Sequence, residues 1–447
     1  MYRIIIVLSL VLLLASLASA QAAYQPTWES LDARPIPGWY DDAKFGIFIH
    51  WGVYSVPAWG PKGQYSEWYW QHMQNKNGET WKYHLEKYGE KFQYQDFAPQ
   101  FKAELFDPDQ WADIFARSGA KYIVLTSKHH EGFALWPSAE SWNWNSVDIG
   151  PHRDLCGDLT KSVKARGIKM GFYYSMYEWF NPIYRSDVKR YVEQHMLPQM
   201  KDLVARYQPS LVWTDGEWDH PSATWRSTEF IAWLYNESAV KDEVVIDDRW
   251  GSDTRGKHGG FYTTEYGHGG NNPALATHKW EECRGMGASF GYNRNEDLGD
   301  YKSAAEMIHM LVDLVSRGGN LLLDIGPTAD GRIPVIMEQR LIEIGDWLKV
   351  NGEAIYGTKP WRVASEGDVW YTSKDGAVYA VIKRWPGKEL VLTTPKSSKS
   401  TTVTMLGIAQ PLKWKSRDGK LTIQVPQMSV DEVPCRHAYA FKLTGVD

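Results

Sequence analysis

At 447 residues the chain is longer than one hydrophobic core usually supports, so a large domain with a smaller companion is expected. A net charge of −5 with no block of Lys or Arg argues against nucleic acid or an anionic membrane as partner, and 3 Cys are too few for a disulfide framework and leave one thiol unpaired. The 23 Trp and 25 Tyr stand out: such rings stack on the apolar faces of sugars while their N–H and O–H groups bond hydroxyls, although most rings in any chain serve packing.

In chain order, Met-Tyr-Arg precedes an apolar run from Ile4 to Leu17 and then Ala18-Ser19-Ala20. This is the charged start, apolar middle and small-residue cleavage site of a signal peptide over residues 1–20, cut after Ala20. The run has about 14 apolar residues where a membrane span needs about 20, and no later stretch is long enough either. A secreted or lysosomal protein is therefore expected, and Asn236-Glu237-Ser238 is a glycosylation sequon consistent with it.

From about residue 40 to 350, short apolar runs alternate with amphipathic segments. Strands are predicted at Phe45–His50, Tyr122–Ser127, Lys169–Ser175, Leu211–Thr214, Val244–Asp248, Phe261–Thr264, Ala288–Tyr292 and Leu321–Ile325. Between them, Asp107-Pro108 opens a helix that Gly119 closes, and Val188, Val192, Met196, Met200 and Val204 mark an apolar helix face that drifts slowly round its axis. Ser303 and Glu306 form a capping box, and Gly318-Gly319 ends that helix. Eight strands alternating with helices point to a (β/α)₈-like, TIM-type catalytic barrel over residues 21–355. After Ile355 the texture changes to strands of period two: Val369–Ser373 and Ala377–Lys383 flank the hairpin signal Asp375-Gly376, and Leu390–Thr393, Thr401–Met405, Leu421–Val425 and Ala438–Leu443 follow. Residues 356–447 are thus expected to form an antiparallel β-sandwich packed directly on the barrel.

Several predicted strands end in polar groups: His50-Trp51-Gly52, His129-His130-Glu131-Gly132, Asp215-Gly216-Glu217-Trp218 and Arg249-Trp250. In a barrel these ends converge on one mouth. A carboxylate set between Trp213 and Trp218 is costly to ionise unless hydrogen-bonded, which is the setting of a catalytic Asp. Adjacent strand residues such as His129 and His130 face opposite ways, and no third ligand stands at helical spacing, so neither a metal site nor any other cofactor is expected.

The run Phe-Gly-Ile-Phe-Ile-His-Trp-Gly-Val-Tyr-Ser-Val-Pro from Phe45 to Pro57, with Glu67-Trp68-Tyr69, Lys128-His129-His130-Glu131-Gly132-Phe133, Trp213-Thr214-Asp215-Gly216-Glu217-Trp218, Lys279-Trp280-Glu281 and Asn351-Gly352-Glu353-Ala354-Ile355-Tyr356, resembles glycoside hydrolase family 29, the α-L-fucosidases. The resemblance spans essentially the whole mature chain and is greatest to the animal tissue, lysosomal type. It implies a retaining exo-glycosidase that releases terminal α-L-fucose from glycoproteins, glycolipids and oligosaccharides through a covalent fucosyl-enzyme. It implies Asp215 as nucleophile, and it places His50, Glu67, Trp68, His129, His130, Tyr174, Trp213, Arg249 and Phe290 around the sugar, Phe290 covering the C5 methyl. For the acid/base, Glu265 is preferred because Thr264-Glu265 follows the sixth predicted strand in the Thr-x-Glu manner of many members. Glu281 is the alternative, and Glu217 and Glu131 stay open as hydrogen-bonded structural acids. Some animal members carry Glu-Asp where this chain has Glu265-Tyr266. Two other readings remain: a fucose-binding protein on the same scaffold, or an exo-glycosidase for a related sugar such as galactose. A homo-oligomer also stays open.

Overall fold

The computed structural model describes residues 23–267, 275 and 277–447, so the expected signal peptide lies outside the described residues. Among them, eight parallel strands form one curled sheet: β1 (Phe45–Ile49), β2 (Tyr122–Lys128), β3 (Lys169–Ser175), β4 (Leu211–Asp215), β5 (Val245–Ile246), β6 (Tyr262–Glu265), β7 (Trp280–Gly285) and β8 (Gly319–Ile325). Their ladder order, β5-β4-β3-β2-β1-β8-β7-β6, is the sequence order taken round a circle. The seam lies between β5 and β6. There Phe261 N–H donates to the Ile246 carbonyl at 3.2 Å, and Asp248 Oδ1 accepts from both the N–H and the hydroxyl of Thr263 at 3.0 and 2.7 Å. This explains why β5 is shorter than the predicted Val244–Asp248. Asp247 and Asp248 leave the ladder and use their carboxylates as staples, Asp247 taking the N–H and hydroxyl of Thr214 at 3.1 and 3.0 Å.

The helices follow their punctuation. Asp107 accepts from the N–H groups of Asp109 and Gln110 to open the helix Pro108–Ser118, whose Trp111, Ala112, Ile114, Phe115 and Ser118 form its buried stripe. Gly119 ends it at φ +85°, where a Cβ would stand 2.7 Å from the Tyr356 hydroxyl. The drift of the Val188–Val204 face has a cause. Between the helices Val188–Tyr191 and Leu197–Tyr207 runs a π-turn, Val192–Met196, in which Leu197 N–H reaches back to the Val192 carbonyl. Pro198 supplies no N–H and its ring crowds the carbonyl four residues earlier, so the wider turn relieves it and brings Val192, Met196, Met200 and Val204 onto one buried side.

One predicted strand is wrong. Ala288–Tyr292 is not a strand, and the seventh strand is β7, Trp280–Gly285. Trp-Glu-Glu-Cys-Arg-Gly reads as a polar loop, yet all six residues are buried, because the inward Glu281 finds donors inside the barrel and the outward Trp280 joins the helix layer. C-terminal to the barrel, β9 (Lys359–Glu366), β10 (Val369–Lys374), β11 (Ala377–Ile382), β13 (Ser397–Met405) and β16 (Tyr439–Val446) form one antiparallel sheet. A second holds β12 (Glu389–Leu392), β14 (Trp414–Arg417) and β15 (Lys420–Gln424). Their inner faces share one core, including Tyr371, Ala380, Leu392, Ile423 and Phe441, which makes the expected sandwich. Asp375 and Gly376 both take positive φ, 49° and 77°, in the β10–β11 hairpin. The strands missed from sequence, β9 and β14, each lie at a sheet edge and are mostly not buried, so they carry no alternation to read. The sandwich docks directly on the barrel helices: Trp347 Nε1 donates to the Ala438 carbonyl at 2.8 Å and Trp370 Nε1 to Asp313 Oδ1 at 3.2 Å.

Candidate active site

The C-terminal ends of the barrel strands surround a cavity of about 230 Å³. It is lined by His50, Glu67, Trp68, His129, His130, Trp213, Asp215, Arg249, Glu265 and Phe290, all expected there, and also by Phe48, Tyr65, Tyr173, Trp218 and Cys283. Arg249 organises the floor. Its guanidinium is 2% exposed and lies over the Trp213 ring; Nη1 donates to Asp215 Oδ1 at 2.9 Å, Nη2 to Glu265 Oε2 at 3.0 Å and Nε to the Thr263 hydroxyl at 3.0 Å. One fixed cation therefore holds both carboxylates. Asp215 Oδ2 accepts from the Tyr173 hydroxyl at 2.9 Å, and Glu265 Oε1 from the Tyr65 hydroxyl at 2.7 Å. After Asp215 the backbone turns through Gly216 at φ +73°, where a Cβ would stand 2.3 Å from the Tyr177 ring, so only glycine lets the chain turn here behind the carboxylate. Glu217 then takes Arg255 Nε at 2.6 Å, and Arg255 Nη2 stands 3.6 Å from Asp215 Oδ1.

The histidines are set to meet hydroxyls. Ser175 donates its single O–H to the Tyr177 carbonyl at 2.8 Å, so toward His130 Nδ1, also at 2.8 Å, it can only accept, and Nδ1 carries the proton. Burial and the neighbouring His129, His50, Lys128 and Arg249 push the His130 ring well below the usual imidazole range, which leaves Nε2 an acceptor, 3.7 Å from Asp215 Oδ2. Burial likewise pushes His50 down and its partner Asp324 up, and their 2.6 Å contact fixes the His50 ring. Glu67 is pushed up by burial, with Oε2 held by Gly291 N–H at 2.8 Å and the Ser289 hydroxyl at 3.2 Å. Among the described residues, no group of three or more His, Cys, Asp or Glu could hold a metal ion.

Two expected residues are not at this cavity. Tyr174 points outward, its hydroxyl donating to Gln199 Oε1 at 2.8 Å, and the residue on the cavity is Tyr173. The alternation of β3 against β4 decides this: Tyr173 pairs with Trp213 and Ser175 with Asp215, so the even-numbered neighbour faces the helices. Changing Tyr173 to Phe is expected to lower kcat/KM about tenfold, whereas Tyr174→Phe should leave kcat/KM unchanged and cost about 1–3 kcal/mol of stability by orphaning Gln199. Steady-state kinetics and denaturant melts of both variants check this, and the reverse pattern would put Tyr174 back in the site.

Glu281 is the second. It lies inside the barrel below the cavity, 0% exposed, accepting from Tyr40 at 2.8 Å, from Trp213 Nε1 at 3.2 Å and from Tyr122. Burial pushes its carboxyl up to about 7 against an ordinary 4.5. The folded state then holds this proton more tightly than the unfolded state, so stability falls as pH rises from about 4.5 to about 7 and is flat above, a difference of about 3 kcal/mol. Glu281→Gln is expected to remove that slope; unfolding free energies of both proteins at pH 5 and pH 7.5 test it, and equal slopes would clear Glu281 as the source. Asn236 lies far from the cavity at the end of the helix Ser227–Asn236, its amide paired with the Tyr24 backbone through two bonds of 2.8 Å. Cys156, Cys283 and Cys435 are all free thiols.

Parallel barrels carry their chemistry at the C-terminal strand ends, and two carboxylates meeting there under aromatic walls put the chain among the glycoside hydrolases. A family model for alpha-L-fucosidase matches residues 11–353, and one for the alpha-L-fucosidase C-terminal domain matches residues 364–444. Tissue alpha-L-fucosidase of Rattus norvegicus is 49% identical over 456 residues, covering 98% of this chain and 97% of that protein, and the Homo sapiens enzyme is 48% identical over 459 residues with the same coverage. Among solved structures, Thermotoga maritima alpha-fucosidase in complex with a mechanism-based inhibitor matches at TM-score 0.83 and 36% identity over 94% of this chain and 100% of that one. The same bacterial enzyme in complex with fucose matches at TM-score 0.81 and 35% identity, with equal coverage. The chain belongs to the alpha-L-fucosidase family and is a glycosidase that hydrolyses α-L-fucosides.

Proposed function

We propose that the enzyme is a retaining exo-glycosidase in which Asp215 attacks the anomeric carbon of a terminal α-L-fucose while Glu265 gives its proton to the leaving oxygen. A β-fucosyl ester on Asp215 results. Glu265 then takes a proton from water, which attacks the anomeric carbon, displaces the Asp215 carboxylate and restores the α configuration. The observation that carries this reading is Arg249, whose two η nitrogens each hold one of the two carboxylates at the cavity. Tyr173 and Arg249 keep Asp215 aimed, and Tyr65 does the aiming for Glu265. The lone pair of His130 Nε2, with His50, His129 and Glu67, supplies partners for the ring hydroxyls, and Phe290 beside Phe48 and Tyr65 is an apolar seat for the C5 methyl.

An apolar seat discriminates weakly against an added hydroxyl, by about 10²-fold or less, so the α-L-fucoside should be preferred over the corresponding α-L-galactoside by that order. Release of galactose in preference would overturn the sugar assignment, and release of neither sugar would favour the binding-protein reading. A mechanism-based fluorinated fucoside should label Asp215, read by mass spectrometry of the digested protein; label on any other residue would displace it as nucleophile. Secretion or delivery to the lysosome, a cleaved leader over residues 1–20 and a glycan on Asn236 belong to the same proposal. The tissue and plasma origin in the names of its relatives supports them, and no helix among the described residues is long and apolar enough to cross a membrane.

A further inference from the structure

Glu281 takes no part in the mechanism above, yet one of its contacts leads back to the reacting groups. Its Oε1 accepts from Trp213 Nε1 at 3.2 Å, and since an indole has a single polar hydrogen, this bond is the one polar tether of that ring. We propose that Glu281 is a positioning residue for the hydrolysis: through Trp213 it fixes the ring on which both holders of Asp215 rest, and so keeps the nucleophile aimed at the anomeric carbon. The assignment rests on the reading of Asp215 given above and adds the group that stands behind it.

Three observations carry it. The first is what the ring supports. The Arg249 guanidinium carbon lies 4.3 Å from the Trp213 ring centroid, and the Tyr173 ring stacks on the same indole at 5.6 Å with 24° between the planes. Arg249 Nη1 and the Tyr173 hydroxyl are the donors to the two oxygens of Asp215, each at 2.9 Å. A slide of the indole therefore displaces the partners of both oxygens together.

The second is that Glu281 is itself held. It is 0% exposed, and its other oxygen accepts from the Tyr40 hydroxyl at 2.8 Å and from the Tyr122 hydroxyl, two rings that pack on each other at 5.6 Å. Tyr40, Tyr122, Tyr173, Trp213 and Phe48 belong to one core cluster inside the barrel, so the chain of contacts from Glu281 to Asp215 has no mobile link. The third is direction. Packing against Phe48 at 5.0 Å is dispersive and sets how close the rings come, whereas an N–H···O bond prefers one line and sets where in its own plane the indole lies. A misplacement of about 1 Å at a reacting group costs about 10²-fold in rate, so the tether is worth keeping even though Glu281 never meets the sugar.

Three variants test this with aryl α-L-fucosides of good and poor leaving groups. Glu281→Leu removes the acceptor and is expected to lower kcat about ten- to hundredfold, equally for both kinds of leaving group. KM and the inhibition constant of free fucose should move less than about threefold, because His50, His130 and Glu67 are held by Asp324, Ser175 and Gly291 instead. Glu281→Gln keeps an acceptor oxygen for Trp213 and turns its NH₂ to the two phenol oxygens, which accept in their turn, so it should bring kcat back to within about threefold of wild type. A glutamine has no acidic proton to give, so this rescue separates positioning from acid catalysis. Trp213→Phe deletes the N–H while leaving Glu281 its two phenol donors; it should lower kcat as Glu281→Leu does, and it carries the test if the leucine variant does not fold. Wild-type kcat in folded Glu281→Leu or in Trp213→Phe, or a glutamine variant as slow as the leucine one, would overturn the proposal. Label from the fluorinated fucoside on a residue other than Asp215 in the wild type would instead bring down the nucleophile reading beneath it.

Discussion

Asp215→Gly is expected to cut turnover of an aryl α-L-fucoside by on the order of 10⁴-fold, about 5 kcal/mol of transition-state stabilisation, while the protein stays folded. Asp215 is 8% exposed and faces the cavity, so its deletion opens a hole that water can fill rather than a void in the core. The hole is lined by Arg249 Nη1 and the Tyr173 hydroxyl, with Arg255 nearby, all donors left facing it. A small anion such as azide fits that environment. Entering from the nucleophile's side, it should restore part of the rate and give β-L-fucosyl azide, the inverted product. Kinetics with and without azide, and the anomeric configuration of the product, read this out; a variant that keeps wild-type activity would remove Asp215 from the chemistry.

The second large effect is at Glu265, and the same anion separates the two roles. Glu265→Ala should lower kcat/KM for substrates with poor leaving groups by about 10²–10⁴-fold and for those with good ones far less, because proton donation to the leaving oxygen is lost, while loss of the base slows hydrolysis of the fucosyl-enzyme for both alike. With Asp215 intact the fucosyl-enzyme still forms, and azide attacking it should give α-L-fucosyl azide, the retained product. Opposite anomers from the two variants would establish nucleophile and acid/base in one experiment. Losses independent of the leaving group, or an inverted product from Glu265→Ala, would take the proton-donor role from Glu265. Glu281 is poorly placed to assume it, since three donors occupy it below the cavity floor.

Arg249 explains why neither carboxylate acts alone. It is buried between Asp215 and Glu265 over the Trp213 ring, and removing either acid leaves a charged guanidinium with one partner fewer. Some of the loss in each variant is therefore a change in how the other carboxylate is held, and the two effects should not add in the double variant.

The barrel and sandwich were legible because local signals agreed with the global fold. Asp107-Pro108 and Gly119 bound a helix within a residue or two, Lys169–Ser175 is β3 to the residue, and Asp375-Gly376 turns the hairpin between β10 and β11. Where those signals failed, burial had inverted polarity: β7 looks like a loop because Glu281 finds its partners only inside a closed barrel, and β9 and β14 carry no alternation because an edge has little to bury.

For the site, the order of residues along the chain was enough to mark the polar strand ends, and a barrel then requires those ends to meet; hence His50, His129, His130, Asp215 and Arg249 were nameable in advance, while Glu265 was named through the family resemblance. What linear order cannot encode is which of two neighbouring rings faces inward, or which carboxylate meets solvent. Tyr173 rather than Tyr174, and Glu265 rather than Glu281, are consequences of strand register: pairing with Trp213 turns Tyr173 into the barrel, and pairing with Thr263 sets Glu281 two residues below the level of Glu265. That pairing exists only once strands far apart in sequence have closed into one barrel.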